Sequence, residues 1–310
     1  MAVVVLRLHE VLPPAVRGGV VAVGNFDGVH RGHVALLRAA RELAGRSGSV
    51  VAVTFDPHPL VLLAPERYQP PLTTTAERAR LLHHAGADHV VVLQTTRELL
   101  SLSPEGFFQT ILRESLGARG VVEGFNFHFG RDRAGSNETL RNLSAAAVID
   151  FLEVPAFTLG GRPVSSSRVR DAIMTGDVAA ASELLARPYR VTGVVGTGAR
   201  RGRTLGFPTA NLERVKTLLP ADGVYAVAVP TGARTFAGAA HVGPNATFGA
   251  ETRTLEVHLL DFEGDLYGQA LAVDFVARLR GTEKFPGIDA LVEQMRRDVT
   301  EARKIIEASS

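Results

Sequence analysis

Two histidines three residues apart, His30 and His33, close a segment punctuated by glycine: Gly24-Asn25-Phe26-Asp27-Gly28-Val29-His30-Arg31-Gly32-His33. Imidazoles so placed can donate hydrogen bonds to phosphate oxygens as negative charge accumulates in a transition state. The glycines let the chain turn sharply and bring its backbone close to a ligand. The segment leaves the apolar run 19–23 and opens a helical pattern from Arg31 to Ala44. It therefore reads as a strand, a turn and a helix mouth whose free N–H groups favour an anion. The pattern points to phosphate chemistry, although a turn with merely satisfied polar histidines would show the same spacing.

Further stretches carry residues of the right kinds. Ser165, Ser166 and Ser167 precede Arg170 at the start of another helical pattern. There arginine can grip phosphate through two parallel hydrogen bonds, although serines are also common helix caps. Phe125, Phe127 and Phe129 surround Asn126, either alternating into a core or shaping a pocket. His58, held between Pro57 and Pro59, is rigid enough to face a phosphate. In the second half, GVVGTGARRGRTLGFPTAN (193–211) includes Gly193, Gly198, Gly202 and Arg203 but neither GxxxxGK[ST] nor GxGxxG. Tight bends would account for its glycines. They do not account for its end, where Thr209 and Asn211, two apart on an extended chain, offer hard oxygen ligands to Mg²⁺. Glu256 and His258 share the strand face opposite Leu255, Val257 and Leu259.

The 310 residues leave room for two domains with separate cores. Hydrophobic residues make up 45% and charged residues 21%, the composition of a globular protein. With 34 Lys+Arg against 32 Asp+Glu, the net charge of +2 recruits neither nucleic acid nor an anionic membrane. The absence of cysteine excludes disulfides, thiolate nucleophiles and thiolate metal sites. The apolar start 2–6 is interrupted by Arg7, too soon for a signal-peptide core, and no run approaches the roughly 20 residues of a membrane span. A cytoplasmic location is expected.

Strand patterns at 19–23, 49–55, 88–93, 119–123 and 147–152 alternate with helical ones. One helix opens with Thr74 and Glu77 in capping-box spacing, another with Ser103-Pro104. Continuous apolar strands between helices predict a parallel sheet covered on both faces, with ligands beyond its carboxyl ends. His58, Asn126 and the serines follow the second, fourth and fifth strands, on one rim. Two short helices, 168–175 and 177–185, come next. From Tyr189 on, strands at 190–195, 223–229, 235–242, 253–260 and 270–279 predict a small antiparallel barrel. An amphipathic helix, 288–306, closes it with Leu291, Met295, Val299 and Ile306 inward and charges outward. The fold class is α/β plus β, divided near Arg187-Pro188 into domains 1–186 and 187–310.

On these residues the chain resembles two families joined end to end. GNFDGVHRGH is similar to the HxGH signature of nucleotidyltransferases, in its flavin-adenylylating form. The segment VSSSRVR resembles that superfamily's ISSTxxR, with Ser167 where threonine is usual, and TFDPHP and GFNFHFG resemble loops of the same branch. The run 193–211 resembles the riboflavin kinase signature GxVxxGxxxGRxLGxPTAN. Asp222-Gly223-Val224-Tyr225, Thr247-Phe248-Gly249 and Thr254-Leu255-Glu256-Val257-His258 agree with it, with Ala246 where proline is frequent. The resemblance covers nearly the whole chain and is to the bacterial bifunctional riboflavin kinase/FMN adenylyltransferase (FAD synthetase) family.

The resemblance implies a Rossmann-like nucleotidyltransferase domain followed by a riboflavin kinase-like barrel. It implies phosphorylation of riboflavin by ATP to FMN and ADP, then adenylyl transfer from ATP to FMN, giving FAD and pyrophosphate, with Mg²⁺ at both steps. His30 and His33 are implied to stabilise the adenylyl transition state, and Arg170 with Ser165, Ser166 and Ser167 to hold the leaving pyrophosphate. Gly24, Asn25, Phe26, Asp27 and Gly28 would line the ATP site, and Asn126, Phe127 and His58 the flavin. In the kinase half, Glu256 would take the proton of the ribityl 5′-hydroxyl, Thr209 and Asn211 would hold Mg²⁺, and Gly193, Gly198, Gly202 and Arg203 would meet ATP. Weak homo-oligomerisation is left open, as are two rivals: an adenylyltransferase for another acceptor, and a flavin-binding regulator without turnover. The kinase signature argues against the first rival and the six candidate catalytic and metal residues against the second.

Overall fold

The computed structural model describes residues 3–196, 207–232, 234–244 and 253–308. The chain forms two compact units, one made of 1–69 and 74–165, the other of 70–73 and 166–310. As compact units they divide ahead of Arg187-Pro188: the helices Ser166–Thr175 and Val178–Leu185 group with the second half.

The first unit is built on strands β1 (Val3–Leu6), β2 (Val20–Val23), β3 (Val50–Asp56), β4 (His89–Gln94) and β5 (Gly120–Gly124). A ribbon of β6 (His128–Phe129) and β7 (Gly135–Ser136) precedes the last sheet strand, β8 (Asp150–Val154). The sheet runs β1-β4-β3-β2-β5-β8 and every neighbouring pair is parallel. Period-2 alternation sorts its valines. Val21, Val23, Val51, Val53 and Val91 face a layer with Phe107, Ile111 and Phe129, while Val20, Ala22, Val50, Ala52 and Val90 face Leu36, Leu37 and Ala40 of the helix Arg31–Ala44.

The sheet has six strands rather than five, because the apolar start pairs with β4 at the edge. The last strand begins at Asp150, since Ala147 caps the helix Asn137–Ala146 and Val148 turns at φ 55°. From β2 the chain runs to β3 and β4 on one side and then crosses to β5 on the other. The switch in direction lies between β2 and β5, and the loops leaving their carboxyl ends are 24–30 and 125–127. A hairpin, β9 (Thr158–Leu159) and β10 (Arg162–Pro163), separates β8 from the serine segment.

In the second unit, β11 (Tyr189–Gly196), β12 (Ala210–Glu213), β13 (Gly223–Thr231), β14 (Arg234–Pro244), β15 (Arg253–Leu259) and β16 (Ala270–Arg280) close an antiparallel barrel in the order β11-β12-β15-β14-β13-β16. Its interior holds Tyr225, Val257, Val273 and Phe275, all fully buried. β12 is a paired strand where the sequence pattern indicates only an extended chain. The helix Ile288–Ala308 packs Ala302 and Ile306 onto the small outer residues Ala226, Ala237, Ala239 and Ala277. Its charges do not all face outward. Asp298 is only 6% exposed, and Arg280 donates to it from Nε at 3.0 Å and from Nη2 at 2.8 Å. Met295 and Val299 are half-buried along a cavity.

Candidate functional site

In the first unit the loop after β2 is held in an uncommon shape. Phe26, Gly28 and Val29 all have positive φ, at 48°, 80° and 42°. For a β-branched valine this is a strained conformation, of the kind that persists only where the surroundings enforce it. Gly24 begins the loop with its N–H donated to the Val53 carbonyl, and Asn25 is exposed while its carbonyl accepts from Thr54 Oγ1 at 3.0 Å. Phe26 is buried and meets the His33 ring edge-on, with centroids 5.1 Å apart.

His30 caps the helix: its Nδ1 accepts from His33 N–H at 3.4 Å, and the two imidazoles stack at 3.6 Å. An accepting Nδ1 places the His30 proton on Nε2. Burial, then the neighbouring His30 and Arg78, holds the His33 imidazole well below its ordinary value. Its Nδ1 is buried and meets no hydrogen-bond partner among the described residues. An alanine Cβ at Gly32 would stand 3.1 Å from the His30 ring and 3.5 Å from the Val164 carbonyl, so the serine segment begins beside this helix mouth.

Asp27 turns inward, 3.7 Å from Arg78 Nη2, with both groups buried. Arg78 Nη1 donates to Thr54 Oγ1 at 3.1 Å, so the ion pair and the hydroxyl brace the loop from beneath. Arg78 is a site residue that no motif in the sequence marks. Its signal was available, since it shares the buried stripe of Leu81 and Leu82 on its helix.

The aromatic loop splits in two. Phe129 is buried against Phe107, and Phe127 stacks on Phe129 at 5.5 Å, whereas Phe125 and Asn126 are exposed. His58 Nδ1 accepts from Leu60 N–H at 3.1 Å, and its ring lies 5.9 Å from Tyr68. Ser165 is half-buried in this unit. Ser166, Ser167 and Arg170 belong to the second unit, where Arg170 Nη1 donates to the Pro70 carbonyl at 2.6 Å.

Two buried groups give this unit a two-sided pH dependence. Desolvation holds the Glu123 carboxyl well above 4.5, countered only by the Val23 N–H. Between 4.5 and its raised folded value, the native state holds the extra proton, so this stabilising contribution is lost as pH rises through that value. His33 acts oppositely. Between its lowered folded value and 6.5 the unfolded state binds the extra proton, so stability is lost as pH falls below 6.5. Glu123→Gln should therefore melt progressively higher than the parent as pH rises, read as the difference between two Tm–pH curves. Parallel curves would contradict the buried acid.

In the barrel unit the registers Asn211↔Glu256 and His241↔Glu256 align three side chains across β12, β15 and β14 on the outer face. Glu256 and Thr209 line a cavity of about 320 Å³ with His241, Arg280, Met295 and Val299. His258 is half-buried, with Nδ1 2.8 Å from the Pro208 carbonyl and its ring edge-on to Phe207 at 5.4 Å. Burial pushes the His241 imidazole down, and Glu256 only partly offsets this. No motif singles out His241 either; it alternates with the interior residues Ala240 and Val242, which marks it as outward.

Gly193 has a packing role, because a Cβ there would lie 2.8 Å from the Glu213 carbonyl. Gly198, Gly202 and Arg203, with Arg200, Arg201, Ala246 and the Thr247-Phe248-Gly249 stretch, lie outside the described residues. Among those described, no cluster of three or more His, Asp or Glu side chains is placed to hold a metal. Asn211 and Glu256 nevertheless face each other across β12 and β15, and Thr209, just before β12, lines the same cavity as Glu256, so three hard-oxygen side chains are available there.

A family model described as FAD synthetase matches residues 12–168, and one described as riboflavin kinase matches 185–306. The bifunctional riboflavin kinase/FMN adenylyltransferase of Pseudomonas fluorescens is 37% identical over 305 residues, 98% of this chain and 97% of its own. The proteins of the same name from Escherichia coli K12 and Bacillus subtilis are 35% and 34% identical, covering 96% and 95% of this chain and 96% and 94% of their own. A crystal structure named macrolide-efflux protein, from Streptococcus pneumoniae, matches with a TM-score of 0.87 at 34% identity, over 97% of this chain and 99% of that one. Efflux is said of that protein alone; among the described residues here, no helix is long and apolar enough to cross a membrane. Two family matches in tandem, and relatives aligned from end to end, extend the likeness beyond the fold: this chain belongs to the bifunctional riboflavin kinase/FMN adenylyltransferase family.

Proposed function

We propose that this chain phosphorylates riboflavin to FMN at the barrel cavity and joins FMN to the adenylyl group of ATP at loop 24–33, with residues 187–310 and 1–186 as the respective functional domains. The observation that carries the kinase reading is the cavity itself, where a carboxylate and a hydroxyl face the apolar side chains of Leu291, Met295 and Val299. An isoalloxazine ring suits the apolar wall, and the ribityl chain can then reach Glu256. Glu256 takes the 5′-hydroxyl proton while that oxygen forms its bond to the γ-phosphorus and the bond to ADP breaks. Thr209 and Asn211 would hold Mg²⁺, which when bound neutralises phosphate charge.

In the first unit no protein nucleophile is required. The FMN phosphate oxygen attacks the α-phosphorus of ATP and pyrophosphate departs, so catalysis consists of positioning and charge stabilisation. The helix mouth at 30–33, with its imidazoles, would meet the developing charge. Arg170 and the serines take the pyrophosphate; Asn126, Phe127 and His58 border the flavin.

The test is a chromatographic product assay of the full chain with ATP and Mg²⁺, given riboflavin or FMN. Riboflavin should yield FMN and then FAD, and FMN should yield FAD. FMN formation without FAD, under both oxidised and reduced conditions, would assign the first unit to another acceptor. Bound flavin without turnover would favour a regulator.

A further inference from the structure

The parallel sheet contains a carboxyl group that the chemistry above leaves unused. Glu123 is 1% exposed in β5, on the face it shares with Val121, within the layer of Val21, Val23, Phe107 and Phe129. An acid in an apolar layer is costly unless it has a task.

Strand register shows the task. On one side β2 stays paired with β3 as far as Val23↔Val53, and β5 stays paired with β8 as far as Gly124↔Val154. Between them, β2 and β5 pair only at Val20↔Gly120 and Val21↔Val121. The two strands part over their last residues, at the switch in strand order where ligands enter such sheets. Across this fork Val23 N–H donates to Glu123 Oε1 at 2.8 Å. Val23 leads directly into Gly24 and loop 24–30, and Glu123 into Gly124 and the loop of Asn126, so one hydrogen bond ties the roots of both loops.

We propose that Glu123 is a positioning residue for adenylyl transfer, its bridge from β5 to the Val23 N–H fixing the width of the crevice into which both nucleotide and flavin must fit. The proposal rests on the adenylyltransferase reading of the first unit. It concerns the carboxyl as a hydrogen-bond acceptor, not as a base. Glutamine keeps the acceptor, whereas leucine suits the apolar layer but removes it.

The experiment compares the full-length parent, Glu123→Gln and Glu123→Leu for FAD formation from FMN, FMN formation from riboflavin, and Tm. Glu123→Leu should lose about tenfold to a hundredfold in kcat for FAD formation, with kinase activity retained and Tm lowered by only a few degrees for the unpaired Val23 N–H, and Glu123→Gln should recover most of that loss. Full FAD-forming activity in Glu123→Leu would overturn the proposal, as would equal impairment of both variants. Collapse of Tm and both activities in Glu123→Leu would make the residue purely structural and also overturn it. A parent that makes FMN but no FAD would instead defeat the reading on which the proposal rests.

Discussion

Glu256→Ala is expected to reduce FMN formation from riboflavin by about 10²–10⁴-fold while leaving conversion of added FMN to FAD intact. The size follows from the role: the attacking ribityl hydroxyl is a poor nucleophile until its proton has an acceptor, and of the two carboxylates at the cavity Asp298 is held by Arg280 while Glu256 stands between Asn211 and His241 in the strand register. Selectivity follows because none of the residues proposed for adenylyl transfer lines the Glu256 cavity. Folding should survive, since Glu256 lies on the outer face while Leu255 and Val257 fill the interior. Glu256→Gln is the sharper variant, keeping size and polarity but removing the base, and it should be impaired to a similar degree. Initial rates at saturating riboflavin and ATP provide the check. A loss confined to KM, or a glutamine variant within about tenfold of the parent, would remove Glu256 from the role of base.

Much of this arrangement was legible because it is written locally. The helix Arg31–Ala44 has the bounds that its sequence pattern indicates. Thr74 and Ser103 cap as their spacing indicates, accepting from Glu77 N–H and Gly106 N–H. The β-branched runs of β2 and β3 could be read because both faces of a buried parallel strand are apolar. What escaped depends on partners distant in sequence. β1 is a four-residue run that becomes a strand only beside β4. The row Asn211, Glu256 and His241 exists through the register of three strands, which no local pattern states. Asp298 reads as a solvent-facing helix charge until Arg280 arrives from β16 to bury it. The phenylalanines of the loop after β5 likewise look alike in sequence, and only the ribbon of β6 with β7 decides that Phe129 is core and Phe125 surface.

His33→Ala is expected to leave the protein making FMN but lower its FAD-forming kcat by about 10²–10³-fold, the range for loss of one preorganised donor to a developing oxyanion. The proposed donor role draws support from the setting of this ring. His33 is stacked on His30 and met edge-on by Phe26, so its orientation is set before substrate arrives. Burial with His30 and Arg78 nearby holds it neutral, and a neutral imidazole bears one N–H. Such a group stabilises charge through a fixed dipole, without needing to become a cation. Its buried, unpartnered Nδ1 costs stability, so removing the ring sacrifices no hydrogen bond of that atom, and the lost contacts with His30 and Phe26 should lower Tm only modestly. This separates the role from a structural one, in which Tm would fall steeply together with activity. His33→Gln supplies a neutral amide donor and should recover part of the rate, whereas His33→Leu should not. Equal activity of glutamine and leucine variants would show that the ring acts through packing against Phe26 and His30, and that the charge developing on the α-phosphate is met by other groups.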